Sequence, residues 1–102
     1  MRYRLTKSAE RDLFDIWDYT VTTWGAQQAE RYLRTLEERF EALAKNPDIG
    51  QARNEILPGY RSYHEARHVI FYRFETEMLV IARVLHERMD MVERLRENSG
   101  DE

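Results

Sequence analysis

Residues 60–86 read YRSYHEARHVIFYRFETEMLVIARVLH, and this stretch carries three consecutive β-strand patterns. Aromatic and β-branched residues are concentrated in the predicted strands, which are residues 60–64, 68–74 and 78–86. The segments that separate them are short enough to form hairpins. The second and third strands are apolar at nearly every position, as is expected for inner strands of a sheet. The stretch therefore predicts a small antiparallel sheet.

The sequence before this sheet predicts a helical hairpin. Helical spacing relates the apolar residues Ala9, Leu13, Ile16, Trp17, Thr20 and Trp24. A second stripe, over residues 26–45, consists of Ala29, Tyr32, Leu33, Leu36, Phe40 and Leu43. Gly25 alone lies between the two patterns, and glycine is the usual residue just past a helix C-terminus. Two amphipathic helices joined so closely must pack as an antiparallel pair.

The order of these elements defines the predicted architecture. Residues 3–5 are a short strand candidate, residues 47–59 a loop, and residues 90–96 a possible short helix. The chain then has the order β-α-α-β-β-β and belongs to the α+β class, with the helical hairpin packed on the small antiparallel sheet. We expect one domain over residues 1–96 and a flexible acidic tail over residues 97–102.

Composition excludes several classes of protein. The chain has 102 residues and no cysteine, which excludes disulfide frameworks, thiolate zinc sites and cysteine nucleophiles. Its 16 Lys and Arg residues against 19 Asp and Glu residues disfavour a general nucleic-acid binder held by phosphate neutralisation. No apolar stretch approaches the length of about 20 residues that crosses a bilayer. We expect a soluble cytoplasmic protein without membrane contact.

Histidine and arginine side chains on the sheet are the candidates for chemistry. His64, His68 and His86 fall on strands or strand ends, where they either converge for acid–base chemistry or remain ordinary strand residues. Metal binding is a minor alternative, and we expect no metal and no cofactor. The strand arginines either bind phosphates or pair with neighbouring glutamates; they are Arg61, Arg73 and Arg83, with Arg67 and Arg88 in adjacent turns.

The first helix offers no catalytic pair. Asp12, Asp15 and Asp18 recur at three-residue spacing opposite the apolar stripe, which indicates a solvated helix face. Trp17 and Trp24 lie on the apolar stripe and are expected in the core. Composition and spacing therefore leave the function open.

A series of short motifs resembles the ParE branch of the RelE/ParE toxins. The motifs in the first half are YRLTKSAERDL at residues 3–13, IWDY at 16–19, WGAQQA at 24–29 and Tyr32. Those in the second half are NPDIG at 46–50, LPGYRS at 57–62, HVIFYR at 68–73 and RVLHERMD at 83–90. Each motif alone is weak, but their order and spacing over residues 2–92 are specific.

The resemblance implies the toxin of a type II toxin–antitoxin pair. A ParD-like antitoxin neutralises such a toxin with its flexible C-terminal part and binds operator DNA with its folded N-terminal part, so the toxin contacts the operator only indirectly. ParE toxins trap DNA gyrase with cleaved DNA and block replication. On this basis the chain is a protein-binding poison and not an enzyme. Alternatives are a ribosome-dependent messenger-RNA endoribonuclease of the RelE type and a degenerate, non-toxic interaction module.

Each reading assigns different residues. A ribonuclease site would use Arg61, His68, His86 and Arg88, although the lysines and C-terminal tyrosine of the RelE type are missing. The expected gyrase-contacting residues are Arg61, Arg73, Arg83 and His86. Apolar residues at the edge of the first helix stripe are expected to contact the antitoxin, namely Phe14, Trp17 and Val21.

Overall fold

The computed structural model describes residues 2–97 and has the predicted α+β architecture. Its elements are β1 (Arg2–Leu5), α1 (Lys7–Trp24), α2 (Ala26–Lys45), a 3-10 turn (Pro47–Ile49), β2 (Gln51–Ala52), β3 (Arg61–Glu65), β4 (His68–Glu75), β5 (Met78–His86) and α3 (Met91–Glu97). Glu97, expected to begin the tail, is the last residue of α3, and the rest of the predicted tail lies outside the described residues. None of the described helices is long and apolar enough to span a membrane.

The sheet has five strands in the order β1-β5-β4-β3-β2 and is mixed, not wholly antiparallel. Strands β2 to β5 pair antiparallel, whereas β1 pairs in parallel with β5. A parallel pair requires a long crossover connection, and here the helical hairpin and three strands lie between the two partners. Strand β2 falls within the predicted loop because its two exposed residues are too few to show a strand periodicity.

Local capping explains the helical hairpin. Thr6 precedes α1 with extended backbone, and its hydroxyl accepts a hydrogen bond from Ala9 N at 3.0 Å. Gly25 has a φ of +96°, which favours glycine, and its N–H donates to Val21 O at 2.9 Å. The same residue starts α2, since its carbonyl accepts from Ala29 N at 3.1 Å. One glycine therefore ends one helix and begins the next, as predicted.

Both faces of the inner strands are buried. The helical hairpin covers one face, where Phe40 of α2 packs with Ile70 and Ile81 of the sheet. The opposite face packs a second cluster that includes Phe71 and Leu95, the latter from α3. This double coverage explains why β4 and β5 are apolar at consecutive positions.

The prediction of a solvated Asp12 is wrong. Pairing of β1 with β5 ends at Ile81, so the outer edge of β5 beyond that point has no strand partner. Asp12 fills the gap: its Oδ2 accepts hydrogen bonds from Val84 N at 2.9 Å and Arg83 Nε at 2.8 Å. Arg83 Nη2 donates to Oδ1 at 2.9 Å, and the Asp12 and Arg83 side chains are only 12% and 9% exposed. The pair satisfies a strand edge that would otherwise lack a partner.

Candidate functional site

A cleft of about 480 Å³ opens where the junction of α1 and α2 faces the β3–β4 turn and the end of β5. Its aromatic lining residues are Tyr19, Trp24 and Tyr32, all from the helical hairpin. The hairpin also contributes the uncharged polar residues Thr20 and Gln28, whereas the arginines and histidines of the lining come from the sheet side, namely Arg67, His68, His86 and Arg88. The volume lies in the lower part of the range of roughly 300–1,000 Å³ that is usual for small-molecule sites.

His68 and Tyr32 line the cleft and are hydrogen-bonded to each other. The Tyr32 hydroxyl lies 2.7 Å from His68 Nδ1 and also donates to Glu65 O at 3.3 Å. Burial lowers the pKa of His68 to about 4, and the neighbouring His86 imidazole contributes to the same shift. Burial, aided by the Glu65 carboxylate, raises the pKa of Tyr32 to about 12. Both groups are therefore neutral at physiological pH, and the hydrogen bond joins two neutral rings.

His86 is the direct cross-strand partner of His68. Their ring centroids are 5.5 Å apart at an interplanar angle of 83°. His86 Nδ1 accepts a hydrogen bond from Arg88 N at 3.1 Å, so in the neutral ring the proton is on Nε2. The sheet thus delivers two imidazoles to one cleft.

His64 does not join them. It pairs with Val69, whose side chain packs in the cluster on the α3 side of the sheet, whereas His68 contacts α2. Its Nε2 lies 3.0 Å from Glu87 Oε1 at an exposed position. Of the two alternatives for the histidines, His64 therefore follows the second: it is an exposed strand residue on the face opposite His68, because neighbouring cross-strand pairs alternate between faces. Where side chains are described, over residues 2–96, no set of His, Asp and Glu is grouped so that it could hold a metal ion.

The cleft has a distinctive charge pattern. Among the side chains described, those of residues 2–96, no carboxylate lines it, although the whole chain has a net charge of −3. The glutamates that flank Arg67 and Arg88 in sequence are engaged elsewhere, since Glu65 accepts from Arg39 Nε at 2.9 Å and Glu87 contacts His64. Aromatic walls with cationic and neutral donors can stack a planar group and bind an anion.

Comparison with known proteins gives the family. Residues 3–91 match the family described as “ParE toxin of type II toxin-antitoxin system, parDE”. The chain belongs to the ParE toxin family. It is similar to Toxin ParE1 of Mycobacterium tuberculosis strain H37Rv, with 46% identity over 91 residues that cover 88% of this chain and 93% of that toxin.

Solved structures agree on the fold of this ParE-family toxin. One neighbour is the chromosomal ParDE toxin–antitoxin system from P. aeruginosa, with a TM-score of 0.72 and 23% identity over 84% of this chain and 95% of the other. A second is the toxin–antitoxin complex RelBE2 from Mycobacterium tuberculosis, with a TM-score of 0.59 and 27% identity over 83% of this chain and 95% of the other.

The structure separates the predicted ribonuclease residues of this ParE-family toxin. His68, His86 and Arg88 all line the cleft. Arg61 lies at the opposite end of β3, where its Nη2 donates to Gly50 O at 2.6 Å and to Asp48 O at 3.3 Å. It supports the loop before β2 and does not line the cleft.

The predicted target-binding residues are also dispersed. Arg73 lies near the end of β4, next to the β4–β5 hairpin. Its Nε donates to Glu75 Oε2 at 2.8 Å, and its Nη1 donates to Tyr60 Oη at 2.9 Å. Arg83 is buried in the pair with Asp12, and its Nη1 also donates to Arg94 O of α3 at 3.0 Å. With Arg61 at the far end of β3, only His86 of these four residues lies in the cleft.

The predicted antitoxin-binding residues form one edge of α1. Phe14 is 67% exposed, Trp17 is 37% exposed, and Val21 is half-buried. Helical spacing adds Trp24, which is 69% exposed. The assignment of Trp17 and Trp24 to the core is therefore wrong for both residues. Trp24 is the last residue of α1, and at that end the helix stands above the cleft, not above a packed part of the sheet. We refer to Phe14, Trp17, Val21 and Trp24 as the α1 stripe.

Sequence reasoning missed two parts of the cleft. Tyr32 was assigned to the apolar stripe of α2, and the only available signal was a hydroxyl in a stripe that otherwise carries none. Tyr19 lies outside the α1 stripe pattern, and its role depends on how α1 ends above the sheet. Such tertiary placement leaves no local pattern.

Proposed function

We propose that this ParE-family toxin poisons DNA gyrase by trapping the enzyme with cleaved DNA, and thereby blocks replication. The observation that carries the proposal is the family match over residues 3–91, supported by the ParE name of its relative. In this proposal the chain acts in the cytoplasm as a protein-binding poison and not as an enzyme.

The ribonuclease alternative draws on the convergence of His68, His86 and Arg88 at the cleft. Two features weigh against it. A pKa of about 4 makes His68 a poor acid–base group near neutral pH, where catalytic groups are tuned close to the working pH. Arg61, the remaining predicted member, is bonded to the Gly50 carbonyl away from the cleft, so it is not placed to stabilise a developing phosphate charge there. The geometry therefore weighs against the ribonuclease, and the support for gyrase poisoning is the family match.

The α1 stripe supports an antitoxin partner. Large apolar side chains on one helix edge, exposed to solvent, mark a protein-interaction surface. A ParD-like antitoxin whose C-terminal segment folds on binding would bury this stripe and form a hetero-oligomer. Contact with operator DNA would then occur through the antitoxin alone. Both structural neighbours are toxin–antitoxin complexes, which fits this arrangement.

Gyrase-catalysed supercoiling of a plasmid tests the target. Linear DNA released by detergent and protease, requiring both gyrase and this chain, is the expected product. Of the residues expected to contact gyrase, His86 is the one that lines the cleft, so His86→Glu should give less linear DNA, whereas Arg34→Glu on the exposed face of α2 is the control. Undisturbed supercoiling without cleaved DNA would refute the proposal. Cleavage of messenger RNA on translating ribosomes would then favour the ribonuclease, and absence of growth arrest on induction would favour the inert module.

Antitoxin binding is tested separately with the product of the adjacent reading frame. Phe14→Asp combined with Val21→Asp should weaken its capture while the circular dichroism spectrum stays native. Thr22→Asp combined with Gln27→Asp adds the same charge at exposed positions of the same hairpin and should leave capture intact. Equal capture by both double variants would remove the α1 stripe from the interface.

A further inference from the structure

The aromatic side of the cleft is built as a stacking surface. Tyr32 is held in place by its hydrogen bond to His68, and the two ring centroids lie 5.6 Å apart. Trp24 extends over the same cleft and remains 69% exposed. When a flat ligand stacks on an exposed indole ring in a cleft that a second, fixed ring also lines, apolar surface is removed from water and binding is stabilised.

A backbone hydrogen bond holds the two segments that carry Arg67 and Arg88 next to each other. Arg67 O accepts a hydrogen bond from Glu87 N at 2.9 Å, which ties the β3–β4 turn to the segment after β5. Arg67 and Arg88 are both exposed, and among the side chains of residues 2–96 neither guanidinium has a carboxylate partner. Two guanidinium groups beside an aromatic wall, with no carboxylate on the described lining, suit a ligand that is flat at one end and anionic at the other.

We propose that the cleft binds one unstacked nucleotide of a single-stranded nucleic acid, with its base on the Trp24 and Tyr32 side and its phosphates at Arg67 and Arg88. A duplex is disfavoured because its bases are already stacked and cannot enter the cleft without being extruded. With only two arginines and a net charge of −3 on the chain, stacking supplies most of the affinity, and binding is weak and sensitive to salt. The inference does not depend on gyrase or the ribosome being the target.

Fluorescence anisotropy of short labelled strands tests it with the full-length protein alone. The probes are oligothymidylate and oligouridylate of about eight nucleotides, within the usual length of single-strand sites, with a DNA duplex for comparison. Both single strands should bind and the duplex should bind less. A preference for DNA or for RNA would identify the source of the strand, since base and phosphate are common to both. No anisotropy change at about 0.1 mM protein, the weak end of non-specific affinities, would overturn the proposal.

Substitutions separate stacking from charge. Trp24→Ala should weaken binding between roughly five-fold and a hundred-fold, the range for loss of a base-stacking ring. The matched aromatic control is Phe74→Ala, at the other end of β4 and 44% exposed, which should bind like the parent. Equal effects of the two substitutions, or binding of the duplex as tight as that of the single strands, would overturn the proposal.

The charge arm uses the dependence of the affinity on salt. Arg67→Ala and Arg88→Ala should each reduce the slope of log affinity against log salt by about 0.7, the value for one single-strand phosphate contact. Arg34→Ala, exposed on α2, should leave the slope unchanged. Slopes equal to that of the parent in both cleft variants would refute the phosphate assignment. Gyrase poisoning is scored in a different assay, so failure of either idea is recognised independently.

Discussion

Replacing Asp12 by alanine tests whether the edge of β5 depends on a buried ion pair. The substitution removes two hydrogen bonds to Arg83 and one to Val84 N, and it leaves a guanidinium that is 9% exposed without its carboxylate. Breaking one side of a buried pair costs about 3–5 kcal/mol. The partial exposure of both groups places the expected loss at about 3 kcal/mol, which lowers the melting temperature of a domain of this size by about 15 °C.

Urea unfolding followed by circular dichroism measures this loss. With an m-value of about 1.5 kcal/mol/M, the midpoint should fall by about 2 M. The matched control is Asp15→Ala, which removes the same side chain from the same helix at an exposed position. It should change stability by less than about 0.5 kcal/mol. Adding Arg83→Met to Asp12→Ala should recover part of the loss, because the buried guanidinium that has lost the Asp12 carboxylate is then removed as well. A loss below about 1 kcal/mol for Asp12→Ala, or purely additive losses in the double variant, would refute the reasoning.

Three other predictions concern a turn, a loop and a histidine. Thr76→Asn with Glu77→Gly should raise stability by about 1 kcal/mol, because both residues have positive φ, 45° and 59°, which Asn-Gly adopts at lower cost. An unchanged melting temperature would contradict this. Gly50→Ala should lower the urea midpoint by the equivalent of about 2 kcal/mol, because the added Cβ would overlap Tyr72 Oη; an unchanged midpoint would show that the loop adjusts. The pKa of His68 is about 4 in the folded chain against 6.5 when unfolded, so stability should fall as the pH drops from 6.5 to 4. After allowance for solvent screening the loss should reach about 2 kcal/mol; a His68→Gln variant with the same pH dependence of unfolding would contradict it.

The fold was predictable because its signals are local. Glycine at position 25, periodic apolar residues in both helices, and two short turns each act within a few residues, and they agree with one another. The parallel pairing of β1 was not predictable in this way, since it joins residues more than seventy positions apart. Strand β2 gave no signal because it has only two residues.

The cleft was predictable only in part. His68 and His86 meet because regular antiparallel register places strand ends opposite each other, and that much follows from sequence. The position of the Arg83 side chain does not follow from the sequence, because the pairing of β4 with β5 shifts by one residue between Phe71 and Tyr72. Such a bulge redirects side chains beyond it, and no residue type marks its position. Strand alternation would place the Arg83 side chain on a face of the sheet. In the structure it instead lies at the open edge of β5, where it pairs with Asp12 of α1.

The same ion pair explains why α1 presents an apolar edge to solvent. At 100° per residue, the predicted buried arc runs from Ile16 to Trp17, whereas the arc buried in the structure is centred roughly 60° away, toward Asp12. Since the open edge of β5 draws Asp12 inward, the helix is rotated about its axis, and Phe14 and Trp24 turn away from the sheet. Exposure of the α1 stripe is thus a consequence of satisfying a strand edge with a carboxylate. The exposure of the α1 stripe and the stability of the β5 edge therefore depend on the same contact, the pair of Asp12 and Arg83.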